Sequence, residues 1–244
     1  MSENESTTGF GPGFIAACIV IAAVVACGVI LLVSGDATES QAAPAPPPAP
    51  APATPSQVVQ QSTSPAAGCS LAAGDQGLPS TAPAADSWEV SRRVVVPRSA
   101  VFGPAATDSD GFRRCFAHSP TGAVFAAYNV LAALADQTKV AATARKLMVP
   151  GPETDAMLRD LAKEKPSTDS EPTQLAGYRV LAANRDQVTV MLAVPVEQQW
   201  VSLTVTMVWH DHDWRLQPPP PGDAVGAPFV QVRSLADFVK WSGL

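Results

Sequence analysis

Residues 14–33 form an uninterrupted apolar stretch that constrains the whole chain. The stretch begins at Phe14, ends at Val33 and contains no charged, proline or amide residue. At about 1.5 Å rise per residue, a helix of roughly 20 residues spans a hydrocarbon core about 30 Å thick. The sequence therefore predicts a single transmembrane helix over 14–34 and a chain anchored to a membrane.

Two other interpretations of this stretch are a cleaved signal and a lipid anchor. A secretory signal has a basic n-region and an apolar core of about 7–15 residues, whereas residues 1–13 contain no Lys or Arg and the apolar run is longer. Residues 24–27 resemble a lipobox, but the apolar run continues beyond Cys27. Both features favour an uncleaved span.

The orientation of the predicted span is inferred from the sizes of the two segments that flank it, because neither segment carries Lys or Arg near the span. The positive-inside rule counts Lys and Arg near the ends of a span, and the first basic residue of this chain is Arg92. A short tail over 1–13 and a large domain on the other side favour a cytoplasmic N-terminus. We therefore expect a single-pass protein of the cell membrane with an extracellular C-terminal domain.

Composition divides the rest of the chain into a linker and one domain. Residues 43–67 are dominated by Ala, Pro, Ser and Gln, which cannot bury a core and which favour extended polyproline conformations. Such a stretch is also found in ligands of aromatic grooves, but a spacer is the commoner use. We predict an Ala/Pro-rich disordered linker over 35–86 and an extracytoplasmic domain over 87–244, long enough for its own core.

The charge distribution argues against nucleic acid as a direct partner. The formal net charge is −6, and all 16 Lys and Arg residues lie after position 91, where acidic residues nearly balance them. No field strong enough to steer nucleic acid follows from this distribution. The sequence also indicates no defined small-molecule ligand.

Four cysteines divide between the two parts of the chain. Cys18 and Cys27 lie in the predicted span, which leaves Cys69 and Cys115 as the pair outside it. An exported domain meets an oxidising compartment, so this pair is a candidate disulfide that contributes about 3–4 kcal/mol in the loop-entropy model. The alternative is two free, partly buried thiols.

Three helices are predicted at the start of the domain. Ser119 is placed as an N-cap with Pro120 at the first helical position, and apolar residues then recur at helical spacing through Ala135 to form one buried face. A second helix is predicted near 140–148 and a third near 153–163, the latter burying the side chains of Met157, Leu158 and Leu161.

A change of hydrophobic period from 3.6 to 2 predicts an antiparallel meander in the second half. Alternation is clear over 188–196 and 201–209, with a tight turn at Asn184 and a final strand from Trp214. Residues 88–104 are expected to be extended, with their prolines restricting them to an edge. The fold class is therefore α+β, with helices packed in a curved antiparallel sheet.

Two clusters of polar residues have the composition of reactive sites. His210, Asp211, His212 and Asp213 contain metal-ligating types, but they lie between two predicted strands, where a polar hairpin turn is needed, and no third ligand stands at a defined spacing. Cys115 and His118 are three apart, yet no orienting acid is identifiable. We predict no catalytic, cofactor-binding or metal-binding residue and a protein that is not an enzyme.

Aromatic residues leave a second function open. Core packing is the commoner role for aromatics at such periods, but they also line pockets inside curved sheets. A small-molecule-binding or isomerase-like domain would use a buried acid or tyrosine near the sheet, and Asp136, Asp186 and Tyr178 are the polar residues placed there. The aromatic residues concerned are Phe125, Tyr128, Trp200, Trp209 and Trp214.

The order of segments resembles a known group of proteins. A single span, a Pro-rich spacer and then helices followed by a meander is similar to the extracytoplasmic nuclear-transport-factor-2-like (cystatin-like) domains of type IV secretion and conjugation components. Locally, residues 115–123, 209–216 and 238–244 resemble a family of actinobacterial membrane proteins from conjugative elements. The resemblance implies a cone-shaped domain, and partners among other conjugation-channel proteins or copies of itself. It carries no catalytic residue.

Overall fold

The computed structural model describes residues 69, 71–92, 94–165 and 174–243. The predicted span and most of the predicted linker lie outside these residues. Within them, no helix combines the length and apolar character needed to cross a bilayer.

The helices are α1 (Pro120–Leu134), α2 (Val140–Leu147) and α3 (Pro152–Leu161), with a 3-10 turn at Gln137–Lys139. The strands are β1 (Ser87–Ser91), β2 (Val94–Arg98), β3 (Ala106–Thr107), β4 (Arg113–Arg114), β5 (Gly177–Ala183), β6 (Gln187–Val196), β7 (Gln199–His210), β8 (Asp213–Leu216), β9 (Val230–Val232) and β10 (Val239–Lys240).

The main sheet is antiparallel and has the strand order β10, β5, β6, β7, β8, with β9 also paired to β7. Its centre is the long β6–β7 hairpin, whose register runs from Val196 paired with Gln199 to Gln187 paired with Val208. β1 pairs with β2 and β3 with β4 in two small separate sheets. The predicted α+β class is confirmed.

Helix α1 begins as the sequence predicted. Ser119 has an extended backbone, and its side-chain oxygen accepts a hydrogen bond from the backbone N–H of Gly122 at 3.1 Å, with Pro120 in the first turn. The buried surface, however, covers almost the whole circumference rather than one face. The reason is that α1 packs against β6, β7 and β8 and also against β1 and β2, where Ala132 meets Val94 and Val96.

Helices α2 and α3 agree with the predicted positions but differ in burial. α2 buries Ala144 and Leu147. In α3 only Thr154 is fully buried, whereas Met157 and Leu158 are half-buried at the margin of the core, as is Leu161. The expectation that α3 buries all three apolar side chains is therefore wrong, because α3 packs mainly on α2 at the outside of the domain.

The meander confirms the predicted period of two in β6, where Val188, Val190 and Leu192 are fully buried. The loop before β8 is shorter than the predicted four-residue turn: Asp211 and His212 form it alone, with φ of 51° and 61°, as in the tight turns that favour right-twisted hairpins. β8 accordingly begins at Asp213 rather than Trp214. It is not the last strand, since β9 and β10 follow it.

Residues 71–86, assigned to the linker on composition, lie along the domain and are called the strap here. The strap contains no helix or strand. Side chains of the domain donate to its carbonyl oxygens, with Trp241 Nε1 bonded to Pro83 and Tyr178 Oη to Thr81, each at 3.0 Å. Residues before 87 therefore contact the domain.

Candidate functional site

The predicted cysteine pair is brought together. The sulfur atoms of Cys69 and Cys115 lie at disulfide distance, with their Cα atoms 5.3 Å apart. Cys115 is fully buried and has a φ of 70°, directly before the loop that leads into α1. A bond here fixes the N-terminal end of the strap to the centre of the domain.

Asp213 is the most deeply buried acidic residue of the described chain, with 5% of its surface exposed. Its carboxylate accepts hydrogen bonds from the backbone N–H groups of Cys115 at 2.9 Å, Phe116 at 3.1 Å and Trp214 at 3.0 Å. Burial raises the pKa of this carboxyl, and the three N–H donors oppose the shift. Asp213 thus joins the β8 end of the sheet to the loop before α1.

Sequence reasoning missed this role because Asp213 lies at the end of a polar run that looks like an exposed turn. The only local signal is the neighbouring Trp214, whose side chain is also buried and whose Nε1 donates to the carbonyl oxygen of Ala117 at 2.8 Å. Two partners of Asp213, Cys115 and Phe116, are almost a hundred residues away in the chain, and no sequence pattern identifies them.

His118 does not form a reactive pair with Cys115. Its ring stacks on Trp209 with centroids 3.9 Å apart and an interplanar angle of 6°. Its Nε2 lies 2.8 Å from the carbonyl oxygen of Arg185 and 3.0 Å from Asp186 Oδ1, so this nitrogen carries the proton and donates. The arrangement fixes the hairpin between β5 and β6 against the start of α1.

The four residues from His210 to Asp213 separate in space. His210 lies in β7, Asp211 and His212 are exposed in the turn, and Asp213 is buried. Across residues 69, 71–92, 94–165 and 174–243, no three His, Cys, Asp or Glu side chains come together as a metal site. The cluster supplies a hairpin turn and one buried acceptor.

Aromatic side chains fill the space between α1 and the sheet. Trp241 forms edge-to-face contacts with Phe125, Tyr128, Tyr178 and Trp88, with centroids between 4.9 and 5.7 Å apart. Tyr128 Oη donates to the carbonyl oxygen of Trp241 at 3.0 Å. Core packing is thus confirmed for Phe125 and Tyr128, which are fully buried. The sequence pattern does not indicate this role for Trp241, because the residue lies outside the segments in which apolar and polar residues alternate clearly, 188–196 and 201–209.

The three polar residues considered for a ligand-binding site have structural contacts. Asp136 caps the 3-10 turn and pairs with Arg92 Nη1 at 2.8 Å. Burial alone would raise the pKa of Asp136, but the hydrogen bonds that its carboxylate accepts from Thr138 and Arg92 lower the pKa below the usual value. Asp186 contacts His118. Tyr178 is buried, which raises its pKa. They do not converge on one place.

A charged network connects the β3–β4 hairpin with α2. Asp108 Oδ2 lies 2.6 Å from Arg114 Nη2 and 3.2 Å from Lys146 Nζ, and Lys146 also reaches Asp110 at 2.6 Å. The hydrogen bond from Arg114 is the main reason that the pKa of Asp108 is lowered. All these groups are partly exposed, so the network is a surface feature of modest stability.

The outer surface carries the remaining candidate features. One groove is lined by residues that include Leu78, His118 and Arg185, and another by the β7 edge and the Pro218–Pro220 segment. Large apolar side chains also project into solvent: Leu78, Val90, Val101, Leu181 and Val230. Apolar side chains exposed singly are common on protein surfaces, so these positions are candidates for contact only where a partner covers them.

Comparison with known proteins identifies a family. The family model described as "Domain of unknown function (DUF8175)" matches residues 46–240. No curated protein and no solved structure matches the chain. The matched range includes the strap, α1 to α3 and the whole main sheet. Because it covers well over half of the sequence, the chain belongs to the DUF8175 family.

Proposed function

We propose that this protein is a membrane-anchored, non-enzymatic assembly component of a conjugative DNA-transfer apparatus related to type IV secretion. The apolar stretch over 14–33 holds it in the cell membrane with the N-terminus in the cytoplasm. The outer domain docks on other proteins of the channel, or on further copies of this chain. The fold proposed for that domain is the cystatin-like cone, in which α1 packs in the main sheet.

One observation carries the proposal: the interior of the domain is occupied by its own side chains. Trp241 packs against Phe125, Tyr128 and Tyr178, between α1 and the main sheet. Ionisable side chains make contacts within the domain. The Asp213 carboxylate, for example, accepts hydrogen bonds from three backbone N–H groups. Function then falls to the outer surface, where apolar side chains such as Val90 (75% exposed) and Leu181 (44% exposed) are available.

The competing interpretation is a small-molecule-binding or isomerase-like domain at the cell surface. It requires an open pocket with an acid that a ligand can reach. Asp213 is a buried acid whose pKa is raised by burial, but both of its oxygens are engaged by backbone donors. The geometry therefore supports docking better than ligand turnover.

A mating assay tests the proposal. We expect in-frame deletion of the gene from a self-transmissible element to abolish transfer, and expression of the wild-type chain in trans to restore it. The Val90→Asp variant and the Leu181→Asp variant each carry a charge at an exposed apolar position. When either variant is produced at the same level as the wild-type chain, it should restore transfer only poorly. Ala162→Asp adds the same charge at an exposed residue after α3 and serves as the control. Undiminished transfer after deletion would contradict the proposal.

A further inference from the structure

The strap is oriented toward the domain by its prolines. Pro79, Pro83 and Ala85 are half-buried, whereas the strap residues between them are exposed. Ala85 packs against the main core. A proline ring offers a rigid apolar surface and a preset φ, so the strap makes its apolar contact through residues that lose little freedom on binding.

Two aromatic residues of the domain, Tyr178 and Trp241, contact the strap, and Trp88 packs on Trp241; these three residues are called the aromatic face here. Trp88 and Trp241 lie edge to face with centroids 5.2 Å apart. Tyr178 Oη donates to the carbonyl oxygen of Thr81, and Trp241 Nε1 donates to the carbonyl oxygen of Pro83, both at 3.0 Å. Two aromatic donors therefore reach carbonyl oxygens two residues apart on one segment, which bends at Thr81.

This combination defines a class of ligand. Proline lacks an N–H and cannot pair as a strand, so a proline-containing segment is recognised by apolar contact with its rings and by donors directed at its carbonyl oxygens. Aromatic-lined grooves with donor side chains bind such segments in this way. Because the two donors contact backbone oxygens, recognition depends on the shape of the ligand more than on its other side chains.

We propose that the aromatic face is a binding site for proline-containing peptide segments and that the strap is its internal ligand. The proposal concerns a site of the domain and stands independently of any role in DNA transfer. A partner that presents a similar segment binds when the strap leaves the face.

Several contacts hold the strap in place on its own domain. Cys69 lies at disulfide distance from Cys115, and Gln76 Nε2 donates to the carbonyl oxygen of His118 at 2.8 Å. At the other end, Asp86 accepts a hydrogen bond from the backbone N–H of Ala100 at 2.6 Å. A ligand tethered this closely has an effective concentration on the order of millimolar, so a free peptide binds measurably only after the strap has been replaced.

The test uses the full-length chain in detergent micelles with residues 71–84 replaced by a Gly/Ser stretch of equal length. A fluorescent synthetic peptide with the sequence of residues 71–86 is titrated, and binding is followed by anisotropy. We expect binding to the replaced chain and none to the wild type. A peptide with Pro79→Gly and Pro83→Gly should bind several-fold more weakly, because each proline removes freedom from the unbound peptide. No binding by a folded replaced chain, or equal binding of a scrambled peptide, would overturn the proposal.

A second measurement uses the strap in its natural place and covers the case in which the replaced chain fails to fold. Elastase cleavage within the strap reports the population that has left the face, provided opening is fast relative to cleavage. Tyr178→Phe removes one donor and keeps the ring, so cleavage should accelerate about fivefold. Thr206→Val removes a hydroxyl that contacts Thr189 in the sheet and should leave the rate unchanged. Equal rates for Tyr178→Phe and wild type would show that the donors do not hold the strap.

Discussion

Replacing Asp213 with alanine should be among the most damaging single changes outside the apolar core. The carboxylate satisfies two backbone N–H groups of the loop before α1, those of Cys115 and Phe116, and both residues are buried. A buried donor left without a partner costs about 1–3 kcal/mol. Removing both acceptor oxygens at once should therefore cost about 2–4 kcal/mol in the free energy of unfolding, because loop relaxation and the removal of a buried charge offset part of the loss.

Urea unfolding of the full-length chain in detergent, followed by tryptophan fluorescence, measures this loss. The nearby Trp214 is buried and reports directly on this end of the sheet. In thermal unfolding, the same change should lower the midpoint by about 10 °C for a domain of this size. Asp211→Asn is the matched control, because it alters an exposed acid of the same hairpin and keeps a residue type that tolerates positive φ. A loss below about 1 kcal/mol for Asp213→Ala would refute the reasoning, since single buried donors already cost that much.

Three further predictions follow from other contacts. Cys69 and Cys115 should react with an alkylating agent only after reduction, as read by peptide mass spectrometry; modification of both before reduction would contradict the disulfide. Gly122→Ala should destabilise the protein although alanine favours helices by about 1 kcal/mol, because its Cβ would lie 2.0 Å from the carbonyl oxygen of Ala117; a gain in the urea midpoint would contradict this close approach. Asp108 has a lowered pKa in the folded protein, so its contribution is present above pH ~4, near the unfolded value, and is lost as the pH falls through the folded value. Asp108→Asn should therefore lower the free energy of unfolding at pH 7 by up to about 1 kcal/mol and should have a smaller effect as the pH falls below about 4, whereas an effect that does not change with pH would exclude an ionised pair.

The regular part of the fold was predictable because it depends on local patterns. A Ser-Pro start followed by apolar residues at helical spacing specifies α1, and Ser119 caps it as expected. Strict alternation specifies β6, where Val188, Val190 and Leu192 face the core. The nearly complete burial of α1 could not be predicted, because it depends on the β1–β2 hairpin that covers the side of the helix away from the sheet.

The candidate sites were less predictable because their contacts are non-local. Composition alone makes residues 71–86 look like a spacer, and only the positions of Tyr178 and Trp241 show that the strap is bound. Asp213 lies in a polar run typical of turns, although its role depends on Cys115 and Phe116. The Cys69 and Cys115 pair was predictable by counting, since the other two cysteines lie in the apolar stretch.

The side of the membrane on which the domain lies is the most direct test of the proposed docking role. Protease is added to intact protoplasts, and the chain is followed with antibodies to its C-terminal domain. An extracellular domain predicts digestion of residues 69–244 and a short membrane-bound fragment that contains 14–33. Protection of the domain until the membrane is lysed would place it in the cytoplasm and contradict docking at the outer face of the cell membrane.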